Sequence, residues 1–209
     1  PAAGVSVPAV GPPLPELPPQ VPQVPHTGLG RLSRWIGRSV LRLGGWRVVG
    51  EVPPVARLVV IAAPHSSNWD GIWGMAAKLA LGVDVRVLGK AQLFWWPLSV
   101  LLRRLGVIPV DRTRPQGVVE QAIGLMRQAH SMWFVVAPEG TRKPVTEWKR
   151  GFWKIADATG VPVLMAYFHY PERTIGFGPL FHTTGDMAAD MAAVRAWYRP
   201  WMGRNRGTT

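Results

Sequence analysis

The chain has no cysteine among its 209 residues, which excludes disulfides, thiolate metal sites and a cysteine nucleophile. That is compatible with a reducing cytosol. Acidic residues are scarce: 12 Asp and Glu stand against 24 Lys and Arg, for a net charge of +12. Such an excess points to an anionic partner, whether nucleic acid, an anionic membrane or a phosphorylated substrate. Long apolar runs are also missing. The longest, LFWWPLSVLL (Leu93–Leu102), is half of the roughly 20 residues that span a bilayer, and a proline interrupts it. No membrane-crossing helix is therefore expected. With 47% hydrophobic residues, the chain can bury a full core and forms most simply one domain. It begins with proline, which leaves any initiator or targeting segment ahead of residue 1.

Proline is concentrated at the start. Residues 1–28 hold nine prolines, one acidic residue and no Lys or Arg. Such a segment is expected to be an extended or disordered tether. Its PxxP-like spacing lacks the neighbouring basic residues of a docking ligand. Residues 29–45 follow as a basic amphipathic helix. Arg31, Arg34, Arg38 and Arg42 recur on one face, with Leu32, Trp35, Ile36, Val40 and Leu43 on the other. Gly44-Gly45 supplies the stop. A basic helix with a Trp/Leu face suits an anionic membrane surface; a core helix with a solvated arginine face is the alternative.

From Trp46 to the end, strand-like and helix-like segments alternate. Strands are expected at Arg57–Ala63, Val85–Leu88, Val107–Val110, Met132–Ala137 and Val161–Phe168. Helices are expected at Trp69–Leu81, Trp96–Leu105, Gln116–His130, Trp148–Thr159 and Asp186–Trp201. The pattern predicts a single α/β domain over 46–209, a largely parallel mixed sheet flanked by helices.

Four stretches just past strands are polar enough to carry chemistry. In PHSSNWDG (Pro64–Gly71), Pro64 forces the chain out of the sheet, so His65 lies beyond a strand's carboxyl end, where open α/β sheets collect ligands. A spacing of five is not one helical face. It works if His65 sits in the turn and Asp70 in the first turn of the next helix. There a neutral imidazole could take a proton from a hydroxyl while the carboxylate orients it. Alone, the pair is equally a loop's ordinary polarity. The second stretch, VLGKAQLF, places Lys90 after a strand. The third, GVIPVDR, ends in Asp111 and Arg112. The fourth is VVAPEGTRK, where Gly140 permits an unusual backbone and Thr141 and Arg142 offer donors suited to phosphate.

Taken together, in this order and spacing, these stretches resemble the glycerolipid acyltransferase superfamily, which includes glycerol-3-phosphate and 1-acylglycerol-3-phosphate acyltransferases. The family's His-x4-Asp pair matches His65 and Asp70, and its second block matches Gly106 through Arg112. Its Pro-Glu-Gly-Thr-Arg block is intact at Pro138–Arg142, and its Val-Pro block matches Val161–Leu164. Three positions depart: Pro64 stands where many members have asparagine, Lys143 where serine is common, and Met165 in place of a second proline. These leave the pair untouched and bear on the acceptor.

The resemblance implies transfer of a fatty acyl chain from a thioester of acyl-CoA or acyl carrier protein to a glycerol-phosphate or lysophospholipid hydroxyl. His65 would be the base and Asp70 its orienting partner. Arg112, Glu139, Gly140, Thr141 and Arg142 would form the acceptor site, with Lys90 as a further candidate. No cofactor or metal is implied, and His26, His130, His169 and His182 are read as structural. The expected location is peripheral, on the cytoplasmic face of a membrane. Other readings stay open. An acceptor could be an amine or sugar lipid. Trp69–Gly71 is similar to the WDG of condensation-type acyltransferases, but their histidine would fall at Ser66. A non-catalytic basic membrane binder would explain the charge but not PEGTR. A nucleic-acid partner is not expected, because no aromatic-basic module such as an RNP signature is present.

Overall fold

The segment RLVVIAA, β2 (Arg57–Ala63), is the middle of the sheet because both of its faces are apolar. Leu58 and Val60 enter one buried cluster, and Val59, Ile61 and Ala63 enter another. The structure is a computed structural model and describes residues 24–110 and 115–208. The other strands are β1 (Arg47–Val49), β3 (Val85–Lys90), β4 (Val107–Val110), β5 (Met132–Val136), β6 (Val163–His169) and β7 (Thr174–Phe181). They form one sheet in the order β1-β7-β6-β2-β5-β3-β4. All neighbouring pairs are parallel except β6 with β7.

Among the described residues, six α-helices cover the sheet: α1 (Gly30–Leu43), α2 (Trp69–Leu81), α3 (Leu98–Arg104), α4 (Pro115–Gln128), α5 (Gly151–Thr159) and α6 (Met187–Tyr198). Leu41 of α1 and Ala76, Ala77, Ala80 and Leu81 of α2 pack with Leu58, Val60 and Trp133 on one face. On the other, Met126 of α4, Phe152 and Ile155 of α5, and Val194 and Tyr198 of α6 pack against Val59, Ile61 and Phe134. The expected α/β domain is thus found. The termini of β2, β4 and α2 fall where the sequence predicts.

Two strands were not anticipated. The three residues of β1 are too few to show a period. In β7, TIGFGPLF, two glycines and a proline hide the alternation. Those glycines are where rings lie on the backbone. A Cβ at Gly176 would sit 2.1 Å from the Tyr167 ring, and one at Gly178 would sit 2.2 Å from that of Trp197.

The amphipathic helix is α1, and it has three faces rather than two. Gly37 and Leu41 are buried against α2, with the arginines on a second face. Leu32 (69% exposed), Trp35 (65%), Ile36 (43%) and Leu43 (89%) make a third face that meets no core. Val40, the fifth residue read on the apolar face, instead packs against the core beside Leu41. Most of the tether, through residue 23, lies outside the described residues. Its end is stitched down: Val24 is buried, His26 pairs with Val83, and the Thr27 N–H donates to Gly82 O at 2.9 Å. The apolar Val24 side chain finds a place in the α1/α2 core, which is what a purely compositional reading of the segment overlooks. Among the described residues, no helix is long and apolar enough to cross a membrane.

The α1–α2 contact depends on Gly37, where a Cβ would meet Ala80 N at 2.5 Å and Ala76 O at 2.6 Å. Backbone cannot yield as a side chain can. Gly37→Val should therefore cost about 1–3 kcal/mol, read as a lower urea midpoint. Gly124→Ala, in α4 with open space around the new methyl, should instead add about 0.5–1 kcal/mol.

Candidate active site

The loop after β2 and the first turn of α2 fold around one carboxylate. Asp70 is 1% exposed. Its Oδ2 accepts the backbone N–H groups of Ser66 (2.8 Å) and Ser67 (2.9 Å), and lies 3.2 Å from His65 Nδ1. Its Oδ1 accepts the Tyr170 hydroxyl at 2.5 Å. His65 thus lies in the turn, and Asp70 in the helix behind it, as the five-residue spacing required. Nδ1–H faces the carboxylate, which leaves Nε2 as the ring nitrogen able to accept a proton. The His65 side chain keeps 27% of its surface exposed, so an acceptor can reach it. Burial pushes the Asp70 carboxyl up, but hydrogen bonds from His65, Tyr170 and Ser67, and the charge on His65, outweigh it. The net result is below the ordinary value of 3.8.

Tyr170 was not visible to sequence reasoning. It follows β6 by one residue, just past the Val-Pro block, and nothing in its local pattern distinguishes it. It is held by an edge contact with Trp46 at 4.8 Å, and Trp46 stacks on Trp73 of α2 at 5.3 Å. Burial and the neighbouring Asp70 carboxylate push the phenol well up, so it remains a donor.

The PEGTR block follows β5, the neighbour of β2, so its loop adjoins the His65 loop at the carboxyl end of the sheet. Its residues separate into two groups. Glu139 is 1% exposed. It accepts the His65 backbone N–H at 2.9 Å and pairs with Arg206 at 3.2 Å. It thus faces inward, bonded to the His65 loop and to Arg206, with its side chain closed off from solvent. Gly140 adopts φ +65°, and beyond it Thr141 and Arg142 are exposed. Lys90 closes β3, also at the carboxyl end. Arg112 lies outside the described residues. Of the histidines read as structural, His169 accepts the Met202 N–H through Nδ1 at 3.1 Å.

A buried carboxylate orienting an imidazole at a sheet's carboxyl end, beside a loop with an exposed arginine, is suited to acyl transfer onto a hydroxyl. Residues 46–168 match the Acyltransferase family. The chain belongs to that family, within the glycerolipid acyltransferase superfamily, and is an acyltransferase. It is similar to the 1-acyl-sn-glycerol-3-phosphate acyltransferase of Pseudomonas aeruginosa, 26% identical over 195 residues, with 82% of this chain and 72% of the relative covered. Its fold is similar to that of the 1-acyl-sn-glycerophosphate (LPA) acyltransferase PlsC from Thermotoga maritima. There the TM-score is 0.57 and the identity 18%, with 79% of this chain and 77% of the other covered.

Tyr170→Phe removes the donor on Asp70 Oδ1 and leaves the ring packing. A hydrogen bond to a charged group contributes about 1.5–3 kcal/mol, so kcat should fall at least about tenfold. Steady-state kinetics check this. Because the Asp70 carboxyl is depressed by folding, it adds stability above the ordinary carboxylate range, and that stability disappears as pH falls through the folded value. The stability difference between wild type and Asp70→Asn should be flat above about pH 5 and shrink below about pH 4, measured by urea titration at each pH.

Proposed function

We propose that the protein transfers a fatty acyl group from an acyl-CoA or acyl carrier protein thioester to the hydroxyl of a glycerol-phosphate or lysophospholipid acceptor, with His65 as general base. The observation that carries this is the His65–Asp70 pair, with Nδ1 committed to Oδ2 and the imidazole open to solvent. The acceptor class draws support from the Pseudomonas aeruginosa relative's activity and from the exposed Arg142 after β5.

The chemistry needs no covalent enzyme intermediate. Nε2 takes the acceptor's hydroxyl proton as its oxygen attacks the thioester carbonyl carbon. Asp70 stabilises the imidazolium that forms. The tetrahedral adduct collapses, the C–S bond breaks, and the leaving thiolate takes the proton back from His65. An ester and a free thiol result, and no cofactor enters the scheme. Arg112 and Arg142 would grip the acceptor's phosphate, because planar guanidinium forks fit a phosphate bidentately. Thr141, Gly140 and Lys90 belong to the same rim in this reading.

The chain would work at the cytoplasmic surface of an anionic membrane without crossing it. The exposed apolar face of α1 lies beside the stripe of Arg31, Arg34, Arg38 and Arg42, a combination suited to the headgroup boundary. Trp95 (59% exposed) and Trp96 (80%), before α3, are further exposed aromatic residues.

His65→Ala should lower turnover on the order of 10²–10⁴-fold while thermal melting shows an intact fold. More than a tenth of wild-type turnover would sink the base assignment. Arg142→Ala and Arg112→Ala should each reduce kcat/KM for a phosphorylated acceptor by roughly 10- to 150-fold, with smaller losses for a phosphate-free one. Equal losses on both would favour an amine or sugar lipid acceptor. Vesicle co-sedimentation should weaken with added salt and with charge reversal at Arg31, Arg34 and Arg38, each basic residue contributing about 1 kcal/mol. Salt-independent binding to neutral and anionic vesicles alike would refute the electrostatic contribution.

A further inference from the structure

Beyond α6 the chain does not leave the domain. It returns across the carboxyl end of the sheet, where the Tyr170 N–H donates to Met202 O at 2.9 Å. Its next residues reach the two motif loops. The Asn205 backbone N–H donates to Ser66 Oγ at 3.2 Å, and Asn205 Nδ2 donates to Ser66 O at 2.7 Å. Gly203 is pressed so close that a Cβ there would be 2.5 Å from Ser66 Oγ. Arg206 reaches further. Its Nη1 donates to Glu139 Oε1 and its Nη2 to Glu139 Oε2, both at 3.2 Å, and Nη2 also donates to Lys143 O at 2.8 Å.

This supplies what the PEGTR block lacks within itself. Glu139 is buried with a charge, which is costly unless a cation and hydrogen bonds compensate it. Arg142 of the same block is exposed, and the cation on Glu139 is Arg206, which lies outside the matched family region. Glu139 Oε2 in turn accepts the backbone N–H of His65. The His65 loop is therefore held from two sides: Asp70 takes the N–H groups of Ser66 and Ser67, while Glu139 and Asn205 hold His65 and Ser66 from the tail side.

We propose that Arg206 is a positioning residue for acyl transfer, fixing the backbone of His65 through Glu139 and tying that loop to the PEGTR loop. The inference rests on His65 acting as general base. A misplacement of a base by a fraction of its reach costs rate without changing how well the thioester is held. The signature is thus a fall in kcat with little change in thioester KM.

The test uses the full chain, with an acyl-CoA donor and a lysophospholipid acceptor, in wild type, Arg206→Ala, Arg206→Lys and His65→Ala. Folded Arg206→Ala should lose roughly 10- to 150-fold in kcat, with the donor KM nearly unchanged. Arg206→Lys, which keeps the charge but not the two-pronged contact, should recover part of it. Added guanidinium, well below denaturing levels, should restore activity to Arg206→Ala in a saturable way. A folded Arg206→Ala with near-wild-type kcat, a loss confined to KM, or no rescue by guanidinium would each overturn the proposal. If the alanine variant does not fold, the lysine variant decides: reduced kcat supports the proposal, and wild-type kcat overturns it. Failure of both to fold would assign Arg206 to stability alone and equally overturns it. Activity in His65→Ala would remove the base reading itself, whereas an inactive His65→Ala beside a normal Arg206→Ala removes only the clamp.

Discussion

The arrangement of the site depends on the hydrogen-bond saturation of one buried carboxylate. Asp70 receives two backbone N–H groups, one imidazole and one phenol, so neither oxygen is left without donors in a place where water is excluded. A carboxylate so enclosed cannot rotate, and the imidazole it faces inherits that rigidity. The backbone donors come from its own loop, which ties the local turn to the carboxylate's orientation. The phenol comes from 100 residues further along the chain. The dyad is therefore assembled by the sheet as a whole, since β2 and β6 must be paired before Tyr170 can meet Asp70.

The same logic governs the second loop. Glu139 is an acidic residue whose side chain is wholly buried, in a block whose remaining polar residues face solvent. Its neighbours β2 and β5 bring the two loops side by side, and the tail beyond α6 closes over both. The block is thus divided: one residue is turned inward to hold the frame, and the others are turned outward, where a ligand can meet them.

Much of this was legible in the sequence because two signals were strong. RLVVIAA is apolar on both faces, and a proline ends it abruptly, which located both β2 and the start of the His65 loop. The intact PEGTR block located the second loop and, with the pair, the family. What was hidden has physical reasons. β7 replaces side-chain alternation with glycines that let Tyr167 and Trp197 lie flat. Tyr170, Asn205 and Arg206 act as single residues across long sequence separations, with no periodicity to announce them. The burial of Glu139 was equally hidden, because nothing in the block's own sequence tells an inward carboxylate from an exposed one. Its real partner is 67 residues away. The face of α1 that packs on α2 was not read, because its buried residues are only Leu41 and Gly37, the latter with no side chain to mark it. That glycine is the point of closest approach to α2.

That approach has a consequence for geometry at a surface. Gly37 lets the α1 and α2 backbones nearly touch, so the two helices pack as a close pair. Asp70 sits in the first turn of α2, so the exposed stripe of α1 is tied through α2 to the His65–Asp70 pair, like a foot and a needle on one frame. Under the membrane-surface reading proposed above, the plane on which Leu32, Trp35 and Leu43 would rest would set the height of the imidazole above or below it. A substrate anchored in that plane would have to present its hydroxyl at that height, so depth alone would select among acceptors before any contact with their headgroups is made.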